Sequence, residues 1–292
     1  MTQEDEYALL GNLKKKLISA AKIINLNLTE DDFGWTKKKE SEKKEFYLFN
    51  RDNNLFEKPY KNVKLGTGVE AVRSSAAMIF NLLGQEDIKI DNINFNRPKY
   101  ETELKAIKDD KYSDHNAHLD ATLTSKDGTR FLAIEAKMLE WINCPKNLSL
   151  AYLDKEMYSN DNPEKFIDFF NKYIRDKDKR DSKDRYFHKN KRYDAIQMTI
   201  HILALYNACF KGEIKPDEIY LWNVVWEYPC KDYDIEKEEA GDYIEDANDT
   251  FSKLFSNLGH SFKVEYKTFQ DVRDSIDFTL DERKKYLERY DI

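Results

Sequence analysis

One stretch, residues 117–138, limits what this chain can fold into more than any other. Two runs of strand-forming residues flank Lys126-Asp127-Gly128-Thr129, and Asp-Gly between alternating apolar residues is a strong hairpin signal. With Asp127 and Gly128 as the loop residues, the register sets Asp120 opposite Glu135 and His118 opposite Lys137. It also sets Leu119, Ala121 and Leu123 against Ala136, Ile134 and Leu132, which predicts one continuous apolar face. The other face then carries Asp120, Glu135 and Lys137, beside the small Ala133. Directly opposed Cβ atoms lie roughly 4.5–5.5 Å apart, so the two carboxylates are expected near contact distance.

Two like charges so placed destabilise a hairpin unless something lies between them. A hard divalent cation does this, since Mg²⁺ is held by one or two carboxylates plus water and substrate phosphate. A lysine two residues along the strand stands beside such an ion, where it can orient a water or neutralise developing charge. In a chain with 35% charged residues, Glu-x-Lys alone means little, and a solvated hairpin face is the bland alternative. Against that, Glu135 and Lys137 interrupt a run that otherwise reads as a buried strand.

The pattern of Asp120 followed by Glu135-Ala136-Lys137 on the next strand resembles the active-site signature of the PD-(D/E)xK nuclease superfamily, with Leu119 where the signature has proline. The resemblance covers about residues 65–230. It implies a restriction-endonuclease-like α/β core, a central mixed sheet flanked by helices in the order α-β-β-β-α-β. It implies Mg²⁺ (Mn²⁺ substituting) on Asp120, Glu135 and the Ala136 carbonyl, with Lys137 positioning or activating water. The expected function is hydrolysis of DNA phosphodiester bonds, duplex before single strand, with a role in restriction or defence by analogy alone. Double-strand cleavage by this fold usually implies two active sites and so would suit a homodimer, which no heptad or apolar patch in the sequence supports. The alternative is a non-catalytic nucleic-acid-binding or assembly protein that retains the fold.

The rest of the chain is consistent with this order. Residues 5–26 repeat Leu9, Leu13, Leu17 and Ala20 at helical spacing, and 1–60 reads as an N-terminal extension. A second helix is expected over 69–83, closed by Gly84, with Glu70 in its first turn. Glu70 either complements the helix dipole or, as the resemblance implies, adds a metal or water contact. This stretch is also similar to the opening helix of a poorly characterised restriction-endonuclease-like subgroup. Residues 100–107 alternate as a first strand. His115 and His118 lack a third metal ligand and read as surface.

Residues 61–230 form the expected core, with 139–190 as an insertion. Residues 171–193 hold ten Lys/Arg against four Asp, a basic segment suited either to phosphate contact or to ordinary solvation. A helix follows over 193–210, where the resemblance makes Gln197 an active-site residue; His201, four residues on, reads as packing or surface. Residues 219–228 are a buried strand, and 231–292 continue as a helix-strand-helix addition. No apolar run approaches a membrane span, and three cysteines without metal-ligand spacing suit a reducing compartment, so the cytoplasm is the default. A net charge of -7 argues against a protein that coats nucleic acid, though not against one with a local basic groove.

Overall fold

The computed structural model describes residues 3–24, 75–85, 87–109, 115–138, 140 and 145–291. Helices α1 (Gln3–Ala21) and α2 (Ser75–Leu83) precede a short hairpin of β1 (Ile88–Ile90) and β2 (Ile93–Phe95). Then come β3 (Lys99–Lys105), β4 (Asn116–Thr124) and β5 (Arg130–Lys137). The insertion contains β6 (Leu148–Ser149), α3 (Pro163–Lys172) and β7 (Arg185–Tyr186). Beyond it lie α4 (Ala195–Phe210), β8 (Glu218–Val225), α5 (Lys231–Ser256), β9 (Ser261–Thr268), α6 (Phe269–Ser275) and α7 (Asp281–Leu287). Among the described residues, no helix is long and apolar enough to cross a membrane.

Five strands form one mixed sheet in the order β3-β4-β5-β8-β9. The β3–β4 and β4–β5 pairs are antiparallel, while β5–β8 and β8–β9 are parallel. Parallel neighbours need long crossovers, and the insertion with α4 supplies the first and α5 the second. Strand β8, between β5 and β9, is buried on both faces, which is why it reads as a nearly unbroken apolar run. Ile219 and Leu221 join a core with α3, α4 and α5, whereas Trp222 and Val224 join another with α2 and α6. The result is three layers, helices on each side of the sheet.

The hairpin register agrees with the sequence over Ala121–Ile134, Thr122–Ala133, Leu123–Leu132 and Thr124–Phe131. Asp127 holds the turn by accepting from the Thr129 backbone N–H at 3.0 Å, and Gly128 supplies the positive φ of 77°. Beyond Ala121 the two strands part. The single apolar face expected from alternation is not present: Ala121 and Leu123 enter the α2 core, but Ala117 and Leu119 enter the α4 core. The side chains change faces at Asp120. On β3, Glu101 has a φ of +48°, and the regular partners on either side are Tyr100–Ala121 and Thr102–Leu119. Glu101 and Asp120 are thus a paired irregularity at which the two-stranded ribbon rolls over, the effect a bulge has on strand twist.

At the end of α2, buried Arg283 of α7 donates to the carbonyls of Asn81 (2.7 Å), Gly84 (2.7 Å) and Phe80 (3.3 Å). Burial pushes its pKa down to about 10. A Cβ at Gly84 would lie 2.6 Å from the Phe80 oxygen and 2.8 Å from Arg283 Nη2. Gly84→Ala should therefore lower stability by about 1–3 kcal/mol, read as a lower urea midpoint at unchanged m.

Candidate active site

Glu135 and Lys137 lie on the face of β5 covered by α4, where Ala133 leaves room above the sheet. Where β4 leaves β5, Asp120 Oδ2 accepts the backbone N–H of Ala136 at 2.6 Å. The carboxylate thus occupies a backbone donor that strand separation would otherwise strand. Helix α4 starts at Asp194, whose Oδ1 accepts the Gln197 N–H at 3.0 Å as an N-cap. That start puts Gln197 in the first turn, above Glu135.

Three side chains close a ring there. Gln197 Nε2 donates to Glu135 Oε1 at 2.7 Å, Lys137 Nζ donates to Gln197 Oε1 at 2.7 Å, and Lys137 Nζ lies 2.7 Å from Glu135 Oε1. One turn along α4, His201 Nε2 lies 3.1 Å from Glu135 Oε2. From β8, Asn223, the ladder partner of Glu135, donates to the Glu135 carbonyl at 3.3 Å.

The two carboxyls are driven apart. Burial opposes charge on Glu135, which is 4% exposed, but Lys137 and then His201 outweigh it and hold its pKa down at about 2. Burial works against the Lys137 ammonium too, yet Glu135 and Asp194 raise its pKa on balance. Asp120 is pushed well up, by burial first and the Glu135 charge second, against the Ala136 N–H and Lys137. Glu101 is also raised, by burial first, with His118 pulling down and Glu135 and Glu103 adding to the rise. Two neighbouring carboxyls with opposed shifts mark a place where charge is managed.

Asp120, Glu135 and the Ala136 carbonyl suit a hard cation that keeps waters and takes a phosphate oxygen. Among the described residues, no three His, Cys, Asp or Glu side chains form a ready cage. Beside the ring a cleft of ≈ 250 Å³ is lined by Lys137, Gln197, Met198, Tyr193, Lys146 and Glu236, among others. Glu236, 1% exposed, is raised to about 7 by burial, partly offset by the Tyr266 hydroxyl donating to it at 2.5 Å.

The structure therefore brings together Asp120, Glu135, Ala136, Lys137 and Gln197. Glu70 lies outside the described residues. His118 is exposed and 3.7 Å from Glu103, while His115 is buried edge-on against Tyr152, so the surface expectation holds for His118 only. His201 was expected as packing or surface; it is buried and faces Glu135. Glu101 was visible only as part of an alternating strand, because nothing in the sequence marks its positive φ. The 171–193 segment pairs half of its basic residues with carboxylates: Lys172–Asp246, Lys179–Asp176, Arg180–Asp184, Arg185–Asp181 and Arg192–Asp232.

Compared with known proteins, the chain matches no family model, no curated protein and no solved structure.

Glu236 gives a stability prediction. Its folded pKa, about 7, lies above the ordinary 4.5, so the folded state binds more protons between these values and stability falls as pH rises through that window. Glu236→Gln should flatten the fall, which amounts to about 3 kcal/mol, in urea titrations at pH 4.5 and 7.5.

Proposed function

We propose that this chain is a Mg²⁺-dependent nuclease of the PD-(D/E)xK, restriction-endonuclease-like type that hydrolyses DNA phosphodiester bonds. The observation that carries the reading is the Lys137–Glu135–Gln197 ring next to Asp120, at the point where β4 and β5 part. Such a ring places an ammonium, a carboxylate and an amide within one reacting volume, and the adjoining cleft opens on Lys137 and Gln197. The α/β sheet order and the flanking helices are consistent with the expected core.

On this reading, Asp120 and Glu135 hold the cation together with the Ala136 carbonyl. When bound, the ion lowers the pKa of water and stabilises charge on the phosphate and leaving oxygens. Lys137 is held protonated by Glu135, so it acts as a donor and a positive charge: it orients the attacking water and neutralises the phosphorane-like state. Gln197 keeps the Lys137 ammonium from swinging out of the cleft. The acidic surroundings repel a phosphate backbone until the cation is present, which makes binding as well as cleavage metal-dependent. The competing reading is a nucleic-acid-binding module in which the Glu135–Lys137 pair is only a buried salt bridge.

Incubation with supercoiled plasmid, linear duplex and single strands in Mg²⁺ or Mn²⁺ separates the two. Wild type should cut, while Lys137→Ala, Glu135→Gln and chelator should each reduce the rate by about 100-fold or more. A second measurement is thermal. Mn²⁺ at about 100 times its Kd should add roughly 2.7 kcal/mol to wild type and nothing to Glu135→Gln. No cutting and no thermal shift would leave the binding module as the answer.

A further inference from the structure

We propose that His201 is a positioning residue that sets the Glu135 carboxylate so that Oε2 is the oxygen offered to the divalent cation. The inference rests on the nuclease reading and deepens it by assigning the two oxygens of Glu135 different tasks. Oε1 is fully engaged, since it receives Lys137 Nζ and Gln197 Nε2, each at 2.7 Å. That leaves Oε2 as the oxygen with capacity for a further ligand. The group facing it is His201 Nε2, at 3.1 Å.

Three observations separate His201 from an ordinary packed residue. It is 2% exposed, and apart from the Glu135 carboxylate neither ring nitrogen has a polar partner among the described residues. A buried polar ring left so is unfavourable, and an apolar side chain would fill the volume without that cost. Its contact is with the carboxylate at the centre of the site. Moreover, Gln197 and His201 stand four residues apart on α4, on one side of the helix, so a single rigid element addresses both oxygens of one carboxylate. With Oε1 pinned at two points, the remaining freedom of Glu135 is the swing of Oε2, and the imidazole limits that swing on the helix side. Outer-shell partners of metal-binding carboxylates act in this way, and losing one typically weakens metal binding by about 10–100-fold.

The test is Mn²⁺ affinity, measured from the EPR signal of the free ion at one pH and ionic strength. The proteins are wild type, His201→Met, which keeps volume but removes both nitrogens, and His201→Gln, which keeps a side-chain N–H. Circular dichroism and urea midpoints establish that each variant is folded; if His201→Met does not fold, His201→Leu replaces it. His201→Met should bind Mn²⁺ about 10–100-fold more weakly, and His201→Gln should recover most of the loss. Equal affinity in all three proteins, or no recovery in His201→Gln, would reduce His201 to packing and overturn the proposal. An imidazole nitrogen coupling in the pulsed EPR spectrum of wild type, absent from His201→Gln, would make His201 a direct ligand and overturn it differently. If wild type itself binds no Mn²⁺, the nuclease reading fails and takes this inference with it. That outcome is distinct from binding that ignores residue 201.

Discussion

A carboxylate charge buried in the middle of the sheet is the constraint around which this molecule is arranged. Glu135 belongs to β5, the strand that joins the antiparallel half of the sheet to the parallel half, and almost none of it is in contact with water. An isolated charge there would cost several kcal/mol or take up a proton. Lys137 cancels the charge from two residues along the same strand, and Gln197 ties both groups to α4. Since α4 must bring Gln197 over Glu135, the Asp194 cap at its start is part of the site as much as of the helix. The buried charge therefore dictates where a helix begins.

The backbone makes the second contribution. A strictly regular hairpin would keep β4 against β5 and leave little space between Asp120 and Glu135. Instead the ribbon of β3 and β4 rolls over at Glu101 and Asp120, and the Asp120 carboxylate satisfies the Ala136 N–H. A backbone irregularity and a carboxylate of the candidate site thus fall on the same residue pair. Strain of this kind, a left-handed non-glycine residue inside a strand, costs on the order of 1–3 kcal/mol and persists where surrounding structure holds it. Here the holding structure is the ladder on both sides, Tyr100–Ala121 and Thr102–Leu119.

Much of this was legible in the sequence, and the remainder failed for identifiable reasons. The Asp127-Gly128 turn set the hairpin register correctly from Thr124–Phe131 to Ala121–Ile134. The expected direct pairing of Asp120 with Glu135 is lost, because the strands part there and Asp120 takes the Ala136 N–H instead. Helical spacing placed Gln197 on α4, though its role came from resemblance. The face change at Asp120 was hidden because Leu119 and Ala121 are both apolar and buried; alternation cannot tell which of two cores each one enters. His201 is packed, as one of the two expectations had it, but only the position of β5 shows that it packs against the Glu135 carboxylate. In the insertion, apolar spacing from Pro163 to Tyr173 marks the helix α3, whose phenylalanines 166, 169 and 170 enter the α4 core. The two-residue β6–β7 pair is too short to leave a pattern. The charges of the 171–193 segment were countable in the sequence, but the partners Asp246 and Asp232 lie outside it on α5 and only the fold brings them to Lys172 and Arg192.

The energetics also bear on which reading of the site is the sounder. A buried ion pair is poor evidence for stability, because replacing one with well-packed apolar residues is often neutral or stabilising. The layer around Glu135 is apolar enough for that: Ala133, Leu221 and Ile202 are all buried in the adjoining core. A chain selected for folding alone could fill this position with an aliphatic residue. It instead carries a carboxylate, an ammonium, an amide and a buried imidazole in one place, together with a raised aspartate. Such an arrangement spends stability on polar groups held at fixed positions, which is what electrostatic catalysis of phosphate chemistry requires.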